Sequence, residues 1–118
     1  MTTQDVANRY SALVKEGNWA AIQDELYSSD AVSIEPEGGS FLKNVSGMEA
    51  IKQKGKEFNE MVEEMHGGSC SEPVVGGKFF SVAMSMDATM KGMGRMNMDE
   101  IAVYEVKDGK IVKEQFFF

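Results

Sequence analysis

Cysteine and histidine each occur once in the 118 residues. Neither an internal disulfide nor a multi-histidine metal cage can form, and structural zinc is excluded as an expectation. Proline occurs only twice, and no repeat, linker or low-complexity tract interrupts the chain. No apolar run approaches the roughly 20 residues of a membrane helix. The opening MTTQDVANRY holds no apolar segment of the kind a signal peptide needs. Positive charge is also scarce: 12 basic against 19 acidic residues leave a net charge of -7. Nucleic acid and an anionic membrane are therefore not expected as partners, because phosphate binding rests on clustered Lys and Arg. These absences lead to the expectation of a reduced, cytoplasmic protein forming a single domain over residues 1–118, with no metal.

Hydrophobic residues make up 42% of the chain and charged residues 26%, the composition of an ordinary globular fold. Methionine is abundant, with 10 residues, six of them between Met84 and Met98. Val6, Tyr10, Leu13 and Val14 recur at helical spacing and predict a first helix from about Thr3 to Glu16, opened by a Thr2–Asp5 capping box and stopped at Gly17. Asn18 can cap a second helix that carries Trp19, Ile22 and Leu26 on one side.

Ala31 to Glu35 reads as a short strand with Val32 and Ile34 on one side, and Pro36 holds Glu35 in an extended conformation. Phe41 to Val45 reads as its return strand. Ser46 and Glu49 form a second capping box. Met48, Ile51, Gly55, Phe58, Val62 and Met65 then predict a long third helix that stops at Gly67-Gly68.

Beyond Gly68 the period becomes two. Strands at 69–75, 79–91, 95–106 and 110–118 are separated by glycine turns, the last of them the Asp108-Gly109 hairpin signal. Helices first and strands last predict an α+β fold: three helices, with a short strand pair between the second and third, packed on a curved antiparallel four-stranded meander. That meander needs no parallel crossover. With Gly92 to Gly94 as the turn, Met84, Met86, Met90, Met96 and Met98 share one face with Phe80, Val82, Ala102 and Tyr104, and Asp87 lies opposite Asp99.

The order of elements resembles the nuclear transport factor 2-like superfamily, a conical α+β fold. Arg9-Tyr10-Ser11-Ala12-Leu13-Val14, Gly17-Asn18-Trp19, Asp30-Ala31-Val32 and Glu35-Pro36 resemble the first third of ketosteroid isomerases. Ser46-Gly47-Met48-Glu49-Ala50-Ile51 and Val106-Lys107-Asp108-Gly109-Lys110-Ile111 resemble SnoaL-like polyketide cyclases. The fold hosts isomerases, dehydratases, cyclases, epoxide hydrolases and non-catalytic binding modules, so the resemblance speaks for architecture more than for activity.

The resemblance implies that Glu35, the carboxylate before Pro36, is a general base moving a proton next to a carbonyl. It also implies that Tyr10 donates a hydrogen bond to the developing oxyanion, although Tyr10 equally fits the apolar stripe of its helix. The isomerases' additional protonated acid falls on Ala102 here, and Glu100, two residues earlier on the same strand face, is the nearest carboxyl. His66 could serve as an acid or base, or could cap the end of the third helix. Trp19, Met84, Met86, Met98 and Tyr104 are candidate contacts to a ligand, since methionine adapts to irregular apolar shapes; core packing accounts for the same residues.

Two functions follow. One is a cofactor-free acid–base enzyme of the isomerase or cyclase type acting on a hydrophobic cyclic or polyketide-like substrate. The other is a non-catalytic ligand-binding or dimerisation module. Glu35 and Tyr10 facing one open cavity would favour the first, and a filled cone the second. The outer sheet face, with Phe79, Ala83, Ile101 and Val103, and the terminal Phe116-Phe117-Phe118 predict a homodimer.

Overall fold

A computed structural model of the chain describes residues 1–38 and 42–118. Two helices, α1 (Thr3–Lys15) and α2 (Trp19–Leu26), are followed by β1 (Tyr27–Ile34), β2 (Val45–Ser46), α3 (Met48–Met61), β3 (Val62–Cys70), β4 (Val74–Gly76), β5 (Phe79–Met90), β6 (Gly94–Lys107) and β7 (Lys110–Phe117). The Thr2–Asp5 capping box forms in both directions, and the Asn18 side chain accepts from the Ala21 N–H. Both helix starts therefore satisfy backbone donors that would otherwise be orphaned.

The strands form one sheet in the order β2-β1-β7-β6-β5-β3, with β4 paired to β5. This corrects the four-stranded antiparallel meander. The sheet has seven strands, and β1 runs parallel to β7, with Val32 opposite Lys113 and Ile34 opposite Gln115. That contact joins segments some eighty residues apart, which local periodicity cannot reveal.

The third helix is also corrected. It begins after Gly47, whose positive φ of 94° needs a residue without Cβ, and its first turn has no side-chain cap. Ser46 cannot cap it because it lies in β2 opposite Val32. The helix ends at Met61, and residues 62–70 form β3 against β5, from Val62 opposite Met90 to Cys70 opposite Met84. Pairing with β5 outweighs the three-and-four spacing that carried the helical reading. The return strand expected over Phe41 to Val45 starts outside the described residues, and only Val45–Ser46 pairs.

Phe80, Val82, Ala102 and Tyr104 alternate onto the sheet face that meets Val6, Ala7, Tyr10 and Leu13 of α1, Ile22 and Leu26 of α2, and Ile51 of α3, and together they form the core. In β1 the core side carries Ala31 and Ser33, followed by Glu35, rather than Val32 and Ile34. The β5–β6 pairing is set by Met90 opposite Gly94, so Asp87 faces Asn97 and Asp99 faces Ser85, two residues from the register expected. Asp87 is held by both Arg95 nitrogens at 3.0 and 2.9 Å.

Candidate functional site

The core side of β1 introduces polar groups among apolar ones. Ser33 is fully buried and Glu35 is 9% exposed. Above them Lys54 sits on the inward face of α3, one turn beyond Ile51, and is 7% exposed. Its ammonium donates to the Ser33 hydroxyl and to Glu35 Oε2 at 2.8 Å. Ser33 Oγ in turn donates to Glu114 Oε2 at 2.6 Å, and the Tyr27 hydroxyl donates to Glu114 Oε1. The Tyr104 and Tyr10 hydroxyls hydrogen-bond each other at 2.7 Å. The Glu35 backbone N–H donates to Asn44 Oδ1 at 2.7 Å, which fixes the end of β1 where the carboxylate leaves it. A continuous polar chain thus runs from Glu35 through Lys54, Ser33 and Glu114 to Tyr27, with the Tyr104–Tyr10 pair as a separate buried contact.

Burial raises Glu114 above the usual carboxylate range, against the downward pull of the bonds from Ser33 and Tyr27 and of the Lys54 charge. Tyr10, Tyr27 and Tyr104 are all raised, chiefly by burial, so their hydroxyls stay protonated. Glu100 faces the same side of the sheet, opposite Met84 on β5. It is only half-buried. Desolvation, then the charges of Glu35 and Glu114, push it up to about 7, while Lys54 pulls it down. One ammonium therefore stands among three carboxyl groups. Full ionisation of all three would leave two negative charges uncompensated by Lys54, a repulsion that adds to burial in raising Glu100 and Glu114.

This arrangement has a consequence for stability. A carboxyl raised in the folded state binds its proton there while the unfolded chain has already lost its own. Glu100 therefore favours folding below the ordinary Glu range and progressively less as pH rises towards about 7. Melting temperatures measured from pH 5 to 8 should show this decline in the native protein, and Glu100→Gln should flatten it. Parallel curves for the two proteins would contradict the assignment.

The candidate residues are only partly brought together. Glu35 and Glu100 belong to the cluster. Tyr10 hydrogen-bonds Tyr104 and is 1% exposed, tilted against Tyr104 with ring centroids 4.9 Å apart and edge-on to Phe80 at 5.4 Å. Tyr104 stacks on Phe80 at 4.8 Å and belongs to the core. Met84, Met86 and Met98 flank Glu100 on the inner face and are half-buried. Trp19 is 49% exposed and lies in a groove of about 680 Å³ between α2 and α3, with Gln23, Lys52 and Phe58.

His66 is on β3 and does not end a helix. It hydrogen-bonds Thr89 Oγ1 at 2.7 Å beside Asp87, on the opposite face of the sheet from Glu100. Lys54, Ser33, Tyr27 and Glu114 escaped the sequence reading. The available signals were a lysine on the apolar stripe of α3 and a glutamate at an inward position of β7.

A second groove, of about 520 Å³, lies on the outer face, bordered by Ser69, Ala83, Ser85, Asp99, Ile101 and Phe117. Its floor is the row Cys70, Met84 and Glu100, whose side chains alternate to the inner face. Neither groove is lined by Glu35 or Tyr10. Among the described residues no group of three or more His, Cys, Asp or Glu could hold a metal ion, and no helix is long and apolar enough to cross a membrane.

The SnoaL-like domain profile matches residues 1–118. Among solved structures, a candidate SnoaL-like polyketide cyclase from Mesorhizobium loti is 35% identical over 100% of both chains, with a TM-score of 0.91. A protein of ketosteroid isomerase-like fold from Catenulispora acidiphila, in complex with trimethylamine, is 15% identical over 83% of this chain and 72% of its own, with a TM-score of 0.67. TerC, co-crystallised with polyporic acid, is 17% identical over 98% of this chain and 90% of its own, with a TM-score of 0.73. At those identities the last two show shared fold alone. A search of curated protein sequences returns no match.

Proposed function

The chain belongs to the SnoaL-like domain family, and from that premise we propose that it binds an apolar small molecule over its inner sheet face and moves protons on it with its own side chains. The observation that carries this reading is the convergence of Glu35, Lys54, Glu114 and Glu100 on one cluster. Glu100 is its half-exposed member, ringed by Met84, Met98 and Phe116, and it takes the part of the base. Lys54 stabilises negative charge that develops on a bound carbonyl oxygen, since preorganised cations act strongly where water is excluded. Glu35 holds Lys54 in place rather than meeting the ligand. Tyr10 stays in the core. The ligands of the two more distant relatives, trimethylamine and polyporic acid, agree with a small-molecule site in this fold.

The direct test is hydrogen–deuterium exchange at the α-carbon of apolar cyclic ketones, followed by NMR. Catalysed exchange that disappears in Glu100→Gln supports the proposal, and exchange no faster than buffer overturns it.

A second reading, a binding or dimerisation module without turnover, is favoured by the burial of Tyr10 and Glu35 away from both grooves. It shares one expectation with the first, a homodimer through the outer face. Phe79, Ile101 and Phe117 are 42%, 44% and 48% exposed there, with Ile101 directly opposite Phe117. Contiguous apolar surface of this kind is rarely kept by a monomer, and a twofold pairing hides it without opening a filament. Each chain weighs 13.0 kDa, so sedimentation at micromolar concentration should give about 26 kDa. Ile101→Asp should return the 13.0 kDa species; a native protein already sedimenting at that mass would refute the dimer.

A further inference from the structure

The alternation that places Phe80 and Val82 in the core continues along β5 and β6. There the same face carries Met84 and Met86 on one strand and Met96 and Met98 on the next. Met86 is directly opposite Met98, Met84 is opposite Glu100, and Met96 is opposite Ala88. Opposed positions on adjacent strands have Cβ atoms about 5 Å apart and diagonal ones about 7–8 Å, within the span of two methionine side chains. Met84 and Met96 thus flank the Met86–Met98 pair, which brings four thioethers onto one stretch of the face.

All four are half-buried, whereas Ala88 beside them is fully buried. Of the four, only Met84 packs against the hydrophobic core. Gly68, opposite Met86 on β3, adds no side chain to the patch. Apolar packing alone would be met as well by Val or Ile, which suit strands better. What methionine adds is a soft, polarisable sulfur on a flexible stem.

We infer that this patch is a binding site for a soft monovalent metal ion, Cu(I), held by three thioethers drawn from Met84, Met86, Met96 and Met98. Thioethers select Cu(I) over hard cations, and sulfur-only coordination needs neither the imidazole nor the carboxylates that a zinc or calcium site requires. The Glu100 carboxyl lies beside the patch, opposite Met84. Cys70 lies opposite Met84 at the border of the patch and packs against the hydrophobic core, and the assignment leaves it outside the ligand set.

The test is an anaerobic titration of the full chain against the coloured Cu(I)–bicinchoninate complex. The native protein is expected to withdraw one Cu(I) per chain. Met86→Leu with Met98→Leu, a near-isosteric change that cores tolerate, should weaken retention by at least about tenfold, the loss that follows even from disturbing the partners of a metal ligand. Cys70→Ser should retain the ion. No withdrawal by the native chain, equal withdrawal by the double leucine variant, or loss on Cys70→Ser alone would each overturn the assignment. Circular dichroism of each variant separates lost ligands from lost fold.

Discussion

Lys54→Met is expected to destabilise the protein by about 3–5 kcal/mol, because it removes one partner of a buried ion pair and leaves the other charge uncompensated. The two side chains are 8% and 6% exposed, and their atoms meet at 2.8 Å. The same ammonium donates to Ser33, which relays to Glu114, so its loss deprives two buried carboxyls of a cation they share. For a chain of 118 residues such a loss corresponds to a fall of about 12–20 °C in Tm. Adding Glu35→Gln to Lys54→Met should recover much of that fall, since replacing both members of a buried pair is commonly far milder than removing one. The pair of variants is the informative measurement. A Tm for Lys54→Met equal to that of the native protein would show the pair to be solvated and the cluster open to water. A double variant no more stable than the single one would show that Lys54 acts through packing of its stem over Phe116, whose ring centroid lies 5.7 Å from the ammonium.

The parts of this fold that local chemistry dictates were legible in the sequence. Thr2, Asp5 and Asn18 announce helix starts through side chains that satisfy specific backbone N–H groups. Asp108-Gly109, with positive φ at both residues, announces the β6–β7 hairpin. Alternation from Phe79 onwards separates the two faces of β5 and β6 and puts Glu100 on the same strand face as Ala102, while which face turns inward is settled by the β5–β6 register. The end of α3 was not legible. Val62 and Met65 continue the helical spacing, and only the demand of β5 for a partner along its free edge turns residues 62–70 into a strand. The cluster was hidden for a related reason. Lys54 lies on a helix rich in charge and reads as one more solvated residue until the parallel β1–β7 contact brings Ser33 beneath it and Glu114 beside Ser33. Glu35 was found through the Pro that follows it, but its Lys54 partner comes from tertiary geometry.

Glu100→Gln is expected to lower catalysed α-proton exchange by about 10²–10⁴-fold, the usual contribution of a positioned general base. The change is isosteric and removes a half-buried charge without breaking an ion pair, so the variant should fold as well as the native protein. A base must be ionised to act. Exchange by the native protein should therefore rise with pH and level off above about 7, where Glu100 has lost its proton. Glu35→Gln separates this assignment from the one implied by the ketosteroid isomerases. If Glu35 were the base, its loss would abolish exchange and Glu100→Gln would leave it nearly intact. With Glu100 as the base, Glu35→Gln should leave substantial exchange and move the pH profile to lower values. The charge of Glu35 is the second-largest influence holding Glu100 up, and its removal also frees the Lys54 ammonium to stabilise the ionised form. An unmoved profile in Glu35→Gln, or full activity in Glu100→Gln, would place the base elsewhere.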